Sequence, residues 1–443
     1  MLRIRLSSRL PRAGLSVATV VATTAAIALT APPAQAASRS HLWAWGNGPA
    51  GVPEDAREPV PVHGLGPAPV KQVVTTINGH GLALLSDGTL YSWGGGPLGN
   101  GGSASSKTPV QVTTLSGVTA ITATTEFTGF SQDDTLYALR SDGTVWAWGN
   151  GSDGQLGDGT TAASNTPVQV TGLTGVTKIV VGADTAYALT RNGRVWAWGA
   201  GTAGQLGNGA RTNSDVPVQV NVADRVTQVT SQCDSAYALT GGRRVFSWGG
   251  NTYGQLGDGT RTSAATPVLV RRVSHASTVI AGCVDAYAII EGTRSVMSWG
   301  QGTQGQMGDG HTATRLYPVA VAGLTGISSV SIGYQTTYAV GPDGTVWAWG
   351  YGHQGQLGNG VEENSSVPVK VINITVPVTA VVSGHYYASG QNTVVARGSD
   401  GSLWSWGYSG FNATGGGGSG AQPARIPRIP PVSKVFGTSF GAV

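Results

Sequence analysis

The dipeptide Trp-Gly occurs eight times in this 443-residue chain, at Trp45, Trp93, Trp148, Trp198, Trp248, Trp299, Trp349 and Trp406. Successive copies are 48, 55, 50, 50, 51, 50 and 57 residues apart. A period near 50 marks a chain built from repeated supersecondary units rather than around one continuous core. All 13 tryptophans belong to the series: eight form the dipeptide, and Trp43, Trp146, Trp196, Trp347 and Trp404 sit two positions earlier. Tyr91, Phe246 and Met297 fill that earlier place in the other three units. A spacing of two puts both large side chains on one face of a β-strand.

The segment VTKIVVGADTAYALTRNGRVWAWG (176–199) shows the order of one unit: a Val/Ile strand, a small-residue turn, a strand around Tyr187, an Asn-Gly turn and the tryptophan strand. The tyrosine recurs as Tyr137, Tyr237, Tyr287 and Tyr338, and Asx-Gly recurs at Asp87, Asp142, Asp343 and Asp400. Asx-Gly between two apolar runs is a strong hairpin signal. A Gly-rich loop follows, then a strand opened by Pro-Val, a placement that suits an edge. Each unit therefore holds four short strands, and one such sheet cannot cover both of its faces. Radial packing of the copies solves this, so the predicted fold is all-β, a β-propeller of seven or eight four-stranded blades. At the ends, ASRSHLWAWG supplies only a tryptophan strand and PPVSKVFGTSFGAV only the strand before one. The two are expected to close the ring in one shared blade. Counting tryptophan strands gives eight blades; treating the first and last units as caps gives seven.

Residues 1–36 read as a secretory signal peptide. Arg3, Arg5, Arg9 and Arg12 precede an apolar run from Ala13 to Ala31, and Ala34-Gln35-Ala36 provides a cleavage site. A retained anchor is the alternative, since the apolar run approaches spanning length. Residues 37–443 are then a single propeller domain, secreted or held at the cell envelope, with no stable membrane insertion after cleavage. Removing the leader's four arginines from 26 basic residues leaves 22, against 22 acidic residues. No basic surplus remains for phosphate contacts, which argues against a nucleic-acid partner.

The repeats resemble the regulator of chromosome condensation family. The residues that carry the resemblance are Trp148-Gly149 followed by Gly154-Gln155-Leu156-Gly157, and the same pattern at 198–207, 248–257, 299–308 and 349–358. The resemblance implies a propeller, usually of seven blades. It also brings two activities into view: nucleotide exchange on a nuclear GTPase with chromatin binding, and the one-faced target binding of a secreted β-lactamase inhibitor protein of this repeat class. The leader and the neutral balance argue against the first and fit the second; no contact residue transfers from either.

The motif loop invites a metal or phosphate reading. Across units, however, Asp153 becomes Ala203, Tyr253, Gln304 and Gln354, while Asp158 alternates with Asn208 and Asn359. A cation site needs a fixed set of oxygens, and a Walker-type loop needs a lysine and a helix. A turn role fits the alternation better, because Asp and Asn both bond the local backbone. No histidine pair has zinc-motif spacing, and no catalytic residues, metal ligands or cofactor are assigned. His80 reads as a structural hydrogen-bonding residue.

Three groups remain as candidates. Cys233 and Cys283, one unit apart, are expected to form a blade-to-blade disulfide, with two buried thiols as the alternative. Asp134, Asp184 and Asp234 stand at equivalent positions and would form an acidic arc at one mouth of the channel. Tyr253, Tyr351, His353 and Tyr408 fall in the Gly-rich loops, as aromatic anchors for a partner. The sequence thus points to a monomeric, non-enzymatic recognition scaffold that binds an unknown extracellular protein, including inhibition of an extracellular enzyme. Alternatives are an envelope- or carbohydrate-binding module, an enzyme whose residues come from several blades, and, last, an exchange factor or chromatin binder.

Overall fold

The computed structural model describes residues 21–22, 27–29, 42–46, 56–76, 79–124, 134–386, 391–408, 420–434 and 436–437. Among them the regular elements are all β-strands. Seven four-stranded antiparallel sheets follow one another along the chain, and we number them blades two to eight: 70–111, 118–169, 176–219, 226–269, 276–320, 329–370 and 378–425. In each, the order across the sheet is the order in sequence: Val/Ile strand, tyrosine strand, tryptophan strand, Pro-Val strand. The Val/Ile strands of neighbouring blades touch one another around the axis. The Pro-Val strands lie outermost and alternate between cover and solvent, as in Ser164–Gln169.

An eighth sheet, blade one, has five strands. Leu42–Gly46 and Ala56–Val62 are its tryptophan and outer strands. Ile27–Leu29 pairs beside Leu42–Gly46, Val21–Ala22 pairs beside that, and Phe436–Gly437 runs parallel to Val21–Ala22. Phe436–Gly437 and two strands from within the expected leader, residues 1–36, thus enter one sheet, and cleavage after Ala36 would remove Val21–Ala22 and Ile27–Leu29 from it. The sequence, however, set the C-terminal segment directly against the tryptophan strand, and here Ile27–Leu29 takes that edge. The apolar run before residue 31 carries β-branched residues, which suit an open strand edge. Residues 438–443, the rest of that expected C-terminal segment, lie outside the described residues.

Eight hydrophobic clusters are found among the described residues, one at each junction between neighbours. Tyr137, Leu139 and Ala147 of blade three pack with Val181, Ala186 and Trp198 of blade four. Trp45 of blade one packs with Val382, Val395 and Leu403 of blade eight, while Leu42 and Ala44 pack with Val73, Ala83 and Trp93 of blade two. The ring therefore closes with eight blades. Each buried tryptophan removes enough apolar surface to contribute about 4–6 kcal/mol at most.

The Gly-Gln-Leu-Gly motif is the joint between blades. The main-chain carbonyl of Gln205 accepts two hydrogen bonds, from Tyr187 Oη of its own blade (2.7 Å) and from Trp248 Nε1 of the next (2.8 Å). Gln155, Gln255, Gln306 and Gln356 repeat the arrangement with Tyr137 and Trp198, Tyr237 and Trp299, Tyr287 and Trp349, and Tyr338 and Trp406. The two rings meet edge to face with centroids 6.1–6.4 Å apart, the geometry their quadrupoles favour. The glutamine side chain folds back: Gln255 Oε1 accepts the Tyr253 N–H. The motif's last glycine is fixed by space as well as by conformation. Gly257 has φ +66°, and a Cβ there would lie 2.8 Å from the Trp299 ring. Asp158, Asn208, Asp258, Asp309 and Asn359 each accept the N–H two residues on, so the Asp/Asn alternation serves one turn.

Candidate functional site

The strand directions put two kinds of loop on each face of the ring. One face carries the Asx-Gly hairpins and the connectors between blades. It holds the exposed Arg191, Arg194, Arg225, Arg243, Arg244 and Arg271 within blades four and five and the connectors after them. Asp224 and Glu291 pair with Arg244 and Arg243 there. An open hollow of about 440 Å³ beside this cluster is lined by Leu173, Arg191, Arg194 and Trp196, among others, and by no carboxylate. The other face, the mouth, carries the turns before the tyrosine strands and the Gly-rich loops, and with them Asp134, Asp184, Asp234 and Asp285.

One backbone bond recurs at the mouth. In blades three to eight the residue after Trp-Gly donates its N–H to a carbonyl just ahead of the tyrosine strand, or in blade eight near its start. The pairs are Asn150 to Asp134, Ala200 to Asp184, Gly250 to Asp234, Gln301 to Val284, Tyr351 to Gln335 and Tyr408 to Asn392. This close approach explains the glycine of Trp-Gly: a Cβ on Gly149 or Gly249 would collide with that carbonyl. The next residue begins the tyrosine strand in blades three to seven, and at this position four blades carry a threonine. Thr135, Thr185, Thr336 and Thr393 donate their hydroxyls back to the carbonyls of Asn150, Ala200, Tyr351 and Tyr408.

Two blades put an ionisable side chain at this position. In blade two it is His80, 1% exposed, with Nε2 2.7 Å from Ser92 Oγ. Burial lowers its pKa to about 4, so the ring stays neutral. In blade six it is Asp285, 3% exposed, whose carboxylate lies 3.2 Å from Tyr287 Oη. Burial raises its pKa to about 7, and the Tyr287 hydrogen bond only partly offsets this. An ionised carboxylate cannot donate to the Gln301 carbonyl as the sister hydroxyls do.

Asp285 opens on a hollow of about 110 Å³ at the mouth, lined by residues of blades five, six and seven. Gln232, Tyr253, Cys283, Gln301, Tyr334 and Gln335 share the lining. Gln232 is 5% exposed, and its Oε1 has no hydrogen-bond partner among the described residues. Tyr253 is 39% exposed at the rim.

The sequence candidates divide around this hollow. Cys233 and Cys283 are joined by a disulfide that ties blade five to blade six, and Cys283 lines the hollow. Tyr253 belongs to the lining, and Tyr351 is bonded through its N–H to the lining residue Gln335. His353 packs edge to face on Tyr351 with centroids 5.3 Å apart. Tyr408 is linked through Asn392, whose side chain holds both main-chain groups of Tyr334. The acidic arc does not hold as a set. Asp134 is buried and accepts the Thr76 hydroxyl across the blade junction, Asp184 is half-buried, and only Asp234 is exposed. Partial loss of water still raises the Asp234 pKa. Asp285, Gln232 and Tyr334 went unread in the sequence; the signal available was Asp285 standing where sister units carry Thr or Ser. Among the described residues, no group of three or more His, Cys, Asp or Glu side chains gathers as a metal site.

Comparison with known proteins agrees with this architecture. Residues 41–388 match the RCC1-like domain family model. The human E3 ubiquitin-protein ligase HERC2 is 30% identical over 154 residues, 32% of this chain and 3% of that protein. The ultraviolet-B receptor UVR8 of Arabidopsis thaliana is 32% identical over 114 residues, 25% of each chain. These matches span a third or less of the relatives' own length. Among solved structures, Prp20p of Saccharomyces cerevisiae superposes with a TM-score of 0.59 at 21% identity, over 76% of this chain and 86% of that one. Human WBSCR16 gives 0.60 at 20% identity, over 79% and 94%.

Proposed function

The chain belongs to the RCC1-like domain family, and from that premise we propose that it is an exported recognition scaffold that binds a protein through the mouth of its ring. The observation that supports this reading most is the pair Tyr253 and Tyr334 lining one polar hollow, with Tyr351 bonded through its N–H to the lining residue Gln335, on a frame whose blades are locked to each other. Aromatic side chains on a rigid support are favoured anchors because little conformational freedom is lost on binding. Inhibition of an extracellular enzyme is one form such binding would take. The ligase activity of HERC2 is not carried over, since the match spans so little of that protein. Prp20p, for which binding to Gsp1p and histones is described, shares the fold alone.

Two experiments test the reading. Expression with the native leader in an export-competent host should yield extracellular protein beginning at Ala37; recovery only inside cells, with Met1 intact, counts against export. A crosslinked pull-down from extracellular and envelope fractions should enrich one protein, and the paired change Tyr253→Ala with Tyr351→Ala should lose it. Retention on insoluble wall polymer with no enriched protein would instead favour the envelope-binding alternative.

A further inference from the structure

We propose that the hollow between blades five, six and seven receives one primary ammonium group, the head of a lysine side chain presented by the protein partner. The proposal deepens the scaffold reading above and rests on it for the source of the lysine.

Three residues that line the hollow bear acceptors. The Asp285 carboxylate replaces a hydroxyl found in sister blades. Gln232 Oε1 is buried without a partner among the described residues, an arrangement that costs stability unless something fills it. The Gln301 carbonyl has no hydroxyl opposite it, because Asp285 stands in the place of the donor. Three acceptors match the three N–H donors of an alkylammonium, a compact charge on a flexible stem.

Among the described residues, the lining contains no lysine, arginine or histidine, so none of them is a counter-ion to Asp285 there. The other titratable groups around it are phenols: Tyr253 and Tyr334 at the rim, Tyr287 below, and Tyr237 of blade five, whose own ionisation the Asp285 charge opposes. An arriving ammonium supplies the missing positive charge. At about 110 Å³ the hollow has room for a few water molecules at about 30 Å³ each, which an ammonium head and the end of its stem would displace. Tyr253, exposed at the rim, can lie along the stem and add a cation–π contribution. Burial holds the carboxyl near neutrality.

The probe is Nα-acetyl-lysine methylamide, titrated into the full chain and followed by NMR. Saturable binding is expected at pH 8. It should weaken roughly thirty-fold at pH 5.5, as a carboxyl with a pKa near 7 takes up its proton. Acetylation of the probe's side-chain amine should abolish binding, and so should Asp285→Asn. Gln232→Leu should weaken binding several-fold without touching the carboxylate, and Asp234→Asn should leave it unchanged. Equal binding by wild type and Asp285→Asn, or no saturable binding at pH 8, overturns the proposal. Capture of a partner by wild type and Asp285→Asn alike overturns the ammonium site and leaves the scaffold reading standing. Binding of the probe with no protein captured overturns the scaffold reading and leaves the ammonium chemistry in place.

Discussion

Replacing Asp285 with threonine should stabilise the protein at pH 8 and leave its stability near pH 4 almost unchanged. The carboxyl titrates at about 7 in the fold, against an ordinary value of 3.8. Between those values the folded chain holds a proton that the unfolded chain has released. Stability from this site is therefore fully present below about pH 4 and is lost as pH rises through 7. Three pKa units at 1.36 kcal/mol each set an upper bound of about 4 kcal/mol on the loss. Threonine removes that loss, and its hydroxyl supplies at every pH the donor that the carboxyl supplies only when protonated. The assay is urea unfolding by tryptophan fluorescence from pH 4 to pH 8, for both proteins. The difference in unfolding free energy should widen steadily with pH. A constant offset across the range, or one that shrinks toward pH 8, would falsify the claim that Asp285 is a buried carboxyl with no counter-ion among the described residues.

The same titration should reveal His80 with the opposite sign. Its pKa falls from 6.5 to about 4, so its contribution is present above 6.5 and fades toward 4, by about 3 kcal/mol at most; His80→Gln should abolish that acid limb. Reducing the Cys233–Cys283 bond, which closes a 50-residue loop, should cost up to about 4 kcal/mol by the chain-entropy argument. The check is a fall in Tm with reductant that the double Ser variant reproduces and reductant does not deepen; native protein with two alkylatable thiols would contradict it. Gly257→Ala should destabilise much more than Gly172→Ala. Both have positive φ, but only the first meets a neighbour, the Trp299 ring, and similar Tm losses would refute that steric account. Trp248→Phe should lower stability by at least about 1 kcal/mol by removing the hydrogen bond to Gln205, and an unchanged Tm would count against the joint.

The repeats made most of the fold legible. Tryptophans two apart, a tyrosine in the preceding strand and Asx-Gly before the tryptophan strand each name one strand of a blade, and local patterning fixed their order. The working part of Gly-Gln-Leu-Gly was hidden, because a main-chain carbonyl has no letter of its own. The candidate site was harder for a related reason. Asp234 follows a cysteine, and Asp285 lies close to one, yet pairing of Ser235 with Gly249 and of Asp285 with Gly300 shows that they occupy different places. Val284 is the true counterpart of Asp234. Asp134 is withdrawn from the mouth by Thr76, 58 residues earlier, a contact that only the closed ring creates.

A joint made from a backbone carbonyl does not depend on the side chain of the residue that carries it. Replacing Gln205 changes the side chain that shapes its loop but cannot delete the oxygen that holds Tyr187 and Trp248. The load between blades thus falls on an atom common to every amino acid. Residues of the mouth beyond that joint are free to diverge, and six successive blades already show Asp, Asp, Asp, Val, Gln and Asn at one position of the mouth. Binding chemistry can drift there from one descendant to the next while the frame beneath stays in register.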